Sequence, residues 1–550
     1  MNGGRFFKAY RYFEIPFPIY MVKVYIPLTL MIVASYFLIF FIAGKYLGSF
    51  FLGLFAILFA LVDFVILFYP YLKYVRIGKL IDRDMHLFVT RLGILSLTYV
   101  SRKDLFNILS EIKEYRELAH EIKKIHTLIT KWNIDLADAC RIVAEITPSE
   151  QLADFLTRMA HAVESGETAE SFSQNEQKAA MEEYAIKYEN SINSIGILNE
   201  IYLASISAAL FFITVAAILP MLMGGDYTPF YLSIVLFVVI EFGAFYYIYV
   251  SVPWEQVWET SAITTDIKIK LRRMLWLGGT LCIPFAIIAF FLPMPYEIKV
   301  AFTLTPLIIP GYYATKTEAL IKKREEFYPA FIRSLGTSAS GVGKETTFAL
   351  KKLRFYKFGP LTDNINDLYK RLSLRVDKRQ SWKIFGAETG SDLISKFNDL
   401  YVDGTDVGGD PRKISNIISE NFLKILSLRK KRFLAASTTS GLLYGSTFFV
   451  SFPLYVLVWV IALMNNMFME IAPVAEEYSF LSLFYGGMIG IEALRILMFS
   501  MVMAHVFIAA GIKKVLSSSN TPKVLFDMVI MMWIGSLTAM VTSFVMSLLL

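Results

Sequence analysis

Residues 338–353 read SASGVGKETTFALKKL, and two incompatible folds can be read into them. As a phosphate-binding loop the string would belong to an α/β nucleotide-binding protein; as a turn between two helices it would belong to an all-α one. A phosphate loop needs G-x-x-x-x-G-K-[ST], so that backbone N–H groups cradle the phosphates while the lysine and hydroxyl reach the outer phosphate and its Mg²⁺. Counted from Gly343–Lys344, the leading glycine position holds Ser338 and the hydroxyl position holds Glu345, a carboxylate where a phosphate should sit. Two of the four fixed positions fail. The plainer reading is that Gly341 and Gly343 end one helix and permit a reversal, and that Lys344–Glu345 open the next.

That reading gains weight from a second copy. An offset of 243 pairs Phe88 with Phe331, Leu92 with Leu335, Gly93 with Gly336, Ala144 with Ala387, Glu145 with Glu388, Gly166 with Gly409 and Lys187 with Lys430. In this register SLTYVSRKDLFNIL (96–109) occupies the place of the opening string. A single register over about 100 residues marks a duplicated unit.

The polar stretches 71–200 and 315–434 alternate with apolar ones. The chain has 550 residues, 55% hydrophobic and 15% aromatic, more apolar surface than a soluble domain can bury. Nine runs approach the roughly 20 residues that cross a bilayer as a helix: 25–44, 49–69, 201–223, 229–250, 275–293, 299–315, 434–463, 480–511 and 524–550. Pro284, Pro293, Pro306 and Pro310 weaken the fifth and sixth. Basic residues near spans are retained on the cytoplasmic side. With the N-terminus inside, 51 of the 54 Lys and Arg fall inside, leaving Lys45 and Lys299 outside and Arg495 within a span. Merging 275–315 into one span would export the 24 basic residues of 315–434, so two spans are kept. Each polar domain then has two spans before it and two after, both copies face the cytoplasm, and the ninth span is an addition.

The domain organisation expected is 1–70, an interfacial segment on the inner leaflet plus two spans; 71–200, a first cytoplasmic domain; 201–315, four spans with a cytoplasmic linker at 251–274; 315–434, a second cytoplasmic domain; and 434–550, three spans. Residues 1–24 carry four basic and several aromatic side chains and no small-residue cleavage site, hence an interfacial segment and no cleaved signal peptide. Both domains read as bundles of five or six helices. In ITPSEQLADFLTRMAHAVESGE, Thr147 caps a helix with Pro148 first and Glu150 closing the box, Leu152, Phe155, Leu156, Met159 and Val163 follow at helical spacing, and Gly166 stops it. Ser101 and Asp104 repeat the device.

The repeated Phe-x-x-x-Leu-Gly, the Ser/Gly turn, the apolar helix and the Gly-then-acid turns SGE (165–167) and GGD (408–410) resemble the F-domain family of type II secretion systems. KEYRELAHEIKKI and ITPSEQLADFL are closest to the pattern of its archaellum platform branch, whereas RVDKRQSWKIFGAETGSD in the second domain departs from it. The resemblance implies an all-α polytopic membrane protein of about nine transmembrane helices with two repeated cytoplasmic helical-bundle F domains. It implies a cell-membrane platform for an archaellum, or for an adhesive type IV pilus or type II secretion-like system. The partners would be a hexameric secretion ATPase and pilin-like or archaellin subunits. No catalysis, cofactor or metal is implied in this chain. A polytopic transporter is the competing class, disfavoured because about 250 residues sit in two domains outside the membrane and transporters concentrate their sites between broken helices.

Residues 71–200 carry a net charge of −4 and 315–434 of +10. The basic clusters are Lys351, Lys352, Arg354 and Lys357, then Lys370, Arg371, Arg375, Lys378, Arg379 and Lys383. They offer an electrostatic dock for the ATPase, a contact with anionic lipid, or a solvated face. No nucleic acid is expected, since no stacking aromatics interleave them in a recognisable module. RKKR at 429–432 abuts a span and is accounted for by topology alone. Asp63, Glu241, Glu492, Arg495 and His505 lie inside spans, where ionisable groups are costly. Glu492 and Arg495 are three apart and can pair; Asp63 and Glu241 occupy matching helix pairs and either satisfy neighbours or carry protons. The five histidines show no ligand spacing and read as scattered surface residues. Gly535, Ser536 and Ala539, with GGMIG at 486–490, offer a small-residue face for a homodimer.

Overall fold

The computed structural model describes residues 8–10, 12–13, 17–43, 49–98, 101–223, 227–253, 255–341, 345–475 and 490–549. A helical turn at Phe17–Tyr20 and a π-helical stretch at Met21–Tyr25 lead into α1, Ile26–Ala43. There follow α2 (Ser49–Leu95), α3 (Arg102–Ser110), α4 (Glu117–Lys131), α5 (Leu136–Ile146), α6 (Glu150–Glu164), α7 (Ala169–Met223), α8 (Thr228–Ser251) and α9 (Asp266–Phe291). The chain continues through α10 (Tyr296–Leu304), α11 (Ile308–Ser340), α12 (Thr346–Leu353), α13 (Thr362–Ser373), α14 (Lys378–Thr389) and α15 (Asp392–Asp406), then α16 (Pro411–Ala475), α17 (Ile491–Ser517) and α18 (Thr521–Leu549). This is an all-α, multi-pass membrane protein. Among the described residues seven helices are long and apolar enough to span a bilayer. The sixth expected span is a broken helix: α10 passes through a 3₁₀ turn at Thr305–Leu307 into α11, because Pro306 has no N–H to continue the ladder.

Adding 243 to the bounds of α3 through α6 lands within two residues of α12 through α15. The capping devices recur with them. Ser149 accepts from the Leu152 N–H at 2.9 Å, and Ser391 from the Ile394 N–H at 3.2 Å. The Ser149 hydroxyl donates to Asp82, and the Ser391 hydroxyl to Glu325 at 2.5 Å; Asp82 and Glu325 are themselves 243 apart. Each cap serine is thus pinned to an acid on the long first helix of its repeat. Ser101 accepts from the Asp104 N–H as expected. Thr147 does not cap α6: it closes α5, donating its N–H to Val143 O, and Ser149 is the cap. The displacement follows from Asp82, which fixes the Ser149 hydroxyl, and from Gly78, where an added Cβ would lie 2.6 Å from Pro148 O. Gly166 stops α6 in the left-handed region at φ +74°, and Gly408 stops α15 at φ +88°.

In the opening string, Gly341 caps α11 in an ordinary right-handed conformation and Thr346 begins α12, while Gly343 and Lys344 lie outside the described residues. The paired glycines Gly93 and Gly336 are mid-helix and let the first long helix of each repeat cross the last. A Cβ on Gly93 would touch Gln177 at 3.4 Å; on Gly336 it would collide with Ser415 Oγ at 1.9 Å and Pro411 O at 2.3 Å. Phe88 and Phe331 are fully buried at the centre of each bundle.

By contact density the chain divides into Met1–Tyr184 with Asp403–Asp410, and Ala185–Val402 with Pro411–Leu550. In the first unit the described residues of the N-terminal segment pack on the chain: Ala9 and Tyr10 are buried, Tyr10 OH donates to Leu67 O at 3.2 Å, and Tyr12 OH donates to Glu121 at 2.8 Å. In the second, Ile213 and Ala217 of α7, Phe237 of α8, Val450 and Ile461 of α16, Met498 and Val502 of α17 and Met531 of α18 share one apolar core.

Candidate functional site: an arginine clamp, buried intramembrane pairs and an exposed basic face

Arg429 and Arg432 stand three residues apart, and so on one face of α16, just before its apolar stretch begins. Residues 252–265, between α8 and α9, run beneath them. Arg429 Nε meets Glu255 at 2.6 Å, its Nη1 meets Glu325 of α11 at 2.8 Å, and its Nη2 donates to Gln256 O at 3.3 Å. Arg432 donates to Pro253 O at 2.9 Å and to Leu516 O and Val515 O at 2.8 and 2.7 Å, satisfying carbonyls at the C-terminal end of α17 where a cation complements the helix dipole. Tyr188 OH of α7 donates to the second Glu255 oxygen at 2.8 Å. Burial alone would raise the Glu255 pKa, but Arg429 and Arg432 outweigh it and hold the carboxyl below its usual range.

The same linker is stitched to the second polar domain. The Glu259 N–H donates to Gly390 O at 2.9 Å and the Asp392 N–H to Val257 O at 3.2 Å, an antiparallel bridge at the turn where Gly390 takes φ +74°. Trp258 and Val257 pack with Leu271, Ala314 and Ile321. Arg324 donates to the carbonyls of Glu388 and Thr389, at 3.0 and 2.9 Å, closing the end of α14. Membrane helices α8, α16 and α17, the linker and the cap of α15 therefore meet in one buried network. Lys430 and Lys431 of the RKKR run are exposed, whereas the two arginines are held in contacts that the sequence reading missed. The missed signal is the alternation itself: two arginines bracketing two lysines, at the spacing of one helical face.

Of the intramembrane candidates, Glu241 and His505 are brought together, and Glu492 and Arg495 are not paired. Asp63 accepts from Tyr25 OH at 2.8 Å and Thr29 OH at 2.6 Å. Glu241 is fully buried, accepting from Tyr202 OH at 2.9 Å and facing His505 Nδ1 at 2.7 Å, with Ser446 Oγ 3.3 Å from the other ring nitrogen. His505 is thus a core residue, and His86 is buried against Tyr184 with ring centroids 3.9 Å apart, so neither is the surface histidine expected. Arg495 does not pair with Glu492, which is exposed one turn back on α17. It takes the fully buried Glu297 of α10 at 2.7 and 3.1 Å, a two-pronged contact that the half-buried guanidinium makes in place of one with its exposed neighbour on the same helix. Glu297, placed in a short external connection by sequence, is fully buried. The small-residue face is occupied within the chain: a Cβ on Gly535 would meet Val502 at 2.8 Å, Ser536 donates to Glu297 O and Ala539 is buried, so these residues form no free dimer face. Residues 486–489 lie outside the described residues.

Of the basic clusters, Lys351, Lys352, Arg354 and Lys357 are exposed, as are Arg375, Arg379 and Lys383, while Lys378 is half-buried. Lys370 is exposed beside Asp367 at 2.9 Å. Arg371 turns inward, gripping both oxygens of Glu388 at 2.8 Å. The Arg354 guanidinium lies 4.9 Å from the Tyr369 ring centroid, which pre-orders it.

Residues 88–217 match the family model for type II secretion system protein F. Over 489 residues, 87% of each chain, the sequence is 33% identical to flagella accessory protein J of Methanococcus voltae. It is likewise 33% identical, over 492 residues and 87% of each chain, to flagella accessory protein J of Methanocaldococcus jannaschii. No solved structure matches it. From the matched F domain and the shared length of those two archaeal proteins, the chain belongs to the flagella accessory protein J family.

Proposed function

We propose that this protein is a non-catalytic membrane platform for an archaellum-type or type IV pilus-type filament, with both polar domains in the cytoplasm and the second docking a hexameric secretion-type ATPase. The observation that carries the reading is the arginine clamp. A platform must pass force between a cytoplasmic motor and membrane helices, and Arg429 and Arg432 bind the second domain, the linker and the ends of α8 and α17 through buried, charge-assisted contacts. Family membership supports the filament role, and filament subunits would be met at the membrane helices. The exposed basic face supports an acidic cytoplasmic partner: Lys351, Lys352, Arg354 and Lys357 form a cluster on a domain of net charge +10.

The test is binding of the full chain, in lipid nanodiscs, to the secretion-type ATPase of the same genome. Wild type should bind with a steep salt dependence, and reversing Lys351, Lys352 and Arg354 to Glu should remove binding at moderate salt. Unchanged affinity of that variant at low salt would overturn electrostatic docking.

A further inference from the structure

The turn after the third helix of each bundle follows the same residue layout twice. In the first repeat α4 ends on Trp132, Asn133 takes φ +53°, Ile134 donates its N–H back to Leu128 O at 3.1 Å, and Asp135 caps α5 by accepting from the Ala137 N–H. In the second, α13 ends on Leu374, Arg375 takes φ +57°, Val376 donates back to Arg371 O at 3.0 Å, and Asp377 caps α14 by accepting from the Gln380 N–H. The layout is large apolar, left-handed residue, β-branched residue, aspartate cap. Neither left-handed position holds glycine, so both turns carry some backbone strain. What the turn itself does not require is a large apolar side chain at its first position. Yet Trp132 is 72% exposed and Leu374 78% exposed.

We infer that Trp132 and Leu374 are equivalent recognition knobs that insert into two copies of one apolar socket on an oligomeric cytoplasmic protein. The proposal rests on the docking reading above and takes the secretion-type ATPase as occupant. Two observations select an oligomeric, acidic-rimmed partner. The residue layout is duplicated, a large apolar side chain at a helix end followed by a left-handed residue and an aspartate cap, though the turns close with different hydrogen bonds, and a ring of identical subunits supplies a site for each copy. Leu374 is followed directly by the exposed Arg375, on a domain of net charge +10, so an apolar floor with an acidic rim would complement this copy. A turn closed by backbone hydrogen bonds loses little freedom when the knob is buried, which favours affinity.

The experiment uses the full chain in nanodiscs and the same ATPase, with Trp132→Ala, Leu374→Ala and the double variant. Exposed positions should leave melting of the chain unchanged, and Trp132→Lys repeats the test without removing bulk. Each single variant should weaken binding about tenfold and the double by more than either, since an anchor and its avidity are both lost. The salt slope should stay that of wild type, because no charge is removed. If wild type binds and the alanine variants bind equally well, the knob proposal fails while docking stands. If wild type does not bind at low salt, docking itself fails and the knob assignment with it. If ATPase binding is unchanged but the double variant dissociates a self-associated form of the chain, the occupant is a second copy and the proposal is overturned.

Discussion

Replacing Arg429 with Met keeps the apolar stem and removes the guanidinium with its charge and hydrogen bonds. Two carboxylates then lose their principal cation. Glu325 retains the Ser391 hydroxyl, and Glu255 retains Tyr188 and an Arg432 contact at 3.6 Å. Breaking one member of a buried ion pair costs about 3–5 kcal/mol, and these surviving partners place the expected loss at the lower end, about 3 kcal/mol. The loss is local to the linker, whose remaining backbone ties to the second domain, among the described residues, are the Glu259 and Asp392 hydrogen bonds near Trp258 and the Arg432 bond to Pro253 O. Peptide-level hydrogen exchange reads it directly: the segment 252–265 should exchange roughly a hundredfold faster, at about 1.4 kcal/mol per decade. The control is Lys430→Met, one residue on, whose 3.2 Å pair with Glu326 is exposed on both sides. That variant should change linker protection by less than about 0.5 kcal/mol. Equal exchange in the two variants would refute the distinction between clamp and surface charge.

Acid should open the same linker late. Glu255 is held below its ordinary value of 4.5, so its contribution is complete above that pH and is lost only as pH falls through the lowered value; exchange of 252–265, corrected for intrinsic rates, should stay flat down to pH 4.5 and rise below it. Gly336→Ala should destabilise the second bundle by about 3 kcal/mol or more, since neither Pro411 O nor the helix bearing Ser415 can move aside, whereas Gly93→Ala meets ordinary contact and should cost less than about 1 kcal/mol; parallel thermal melts of the two variants check this. Glu297→Leu leaves Arg495 without its buried carboxylate and should cost about 3 kcal/mol or more. Glu492→Leu should stay within about 0.5 kcal/mol; near-equal melting temperatures would contradict the assigned pairing.

The helical framework was legible because duplication writes it twice: pattern errors in one copy are corrected by the other, and the bounds of α12–α15 follow from those of α3–α6. Local capping was legible at Ser101, where donor and acceptor are three residues apart. It failed at Thr147 because the deciding contact is Asp82, 67 residues from Ser149. Pairing of charges failed for the same reason. Sequence reasoning ranks neighbours by spacing, so Arg495 was matched to Glu492, while the partner it reaches, Glu297, is 198 residues away. Arg429 and Glu255 are 174 apart, so RKKR can show by spacing that its arginines share a face but not which carboxylate they meet. Glu241 and His505 were expected among the intramembrane ionisable groups, but their pairing was not legible because they are 264 residues apart.

The serine–acid pin is common to both halves of the chain, and in the second half Arg429 joins it at Glu325. The position matching Arg429 is Ile186, which is 54% exposed on α7 and has no charge to offer. After the gene doubled, one descendant was welded at that joint and the other was fastened by different means. A load shared equally between the two halves would therefore be borne by different bonds at the matching joint.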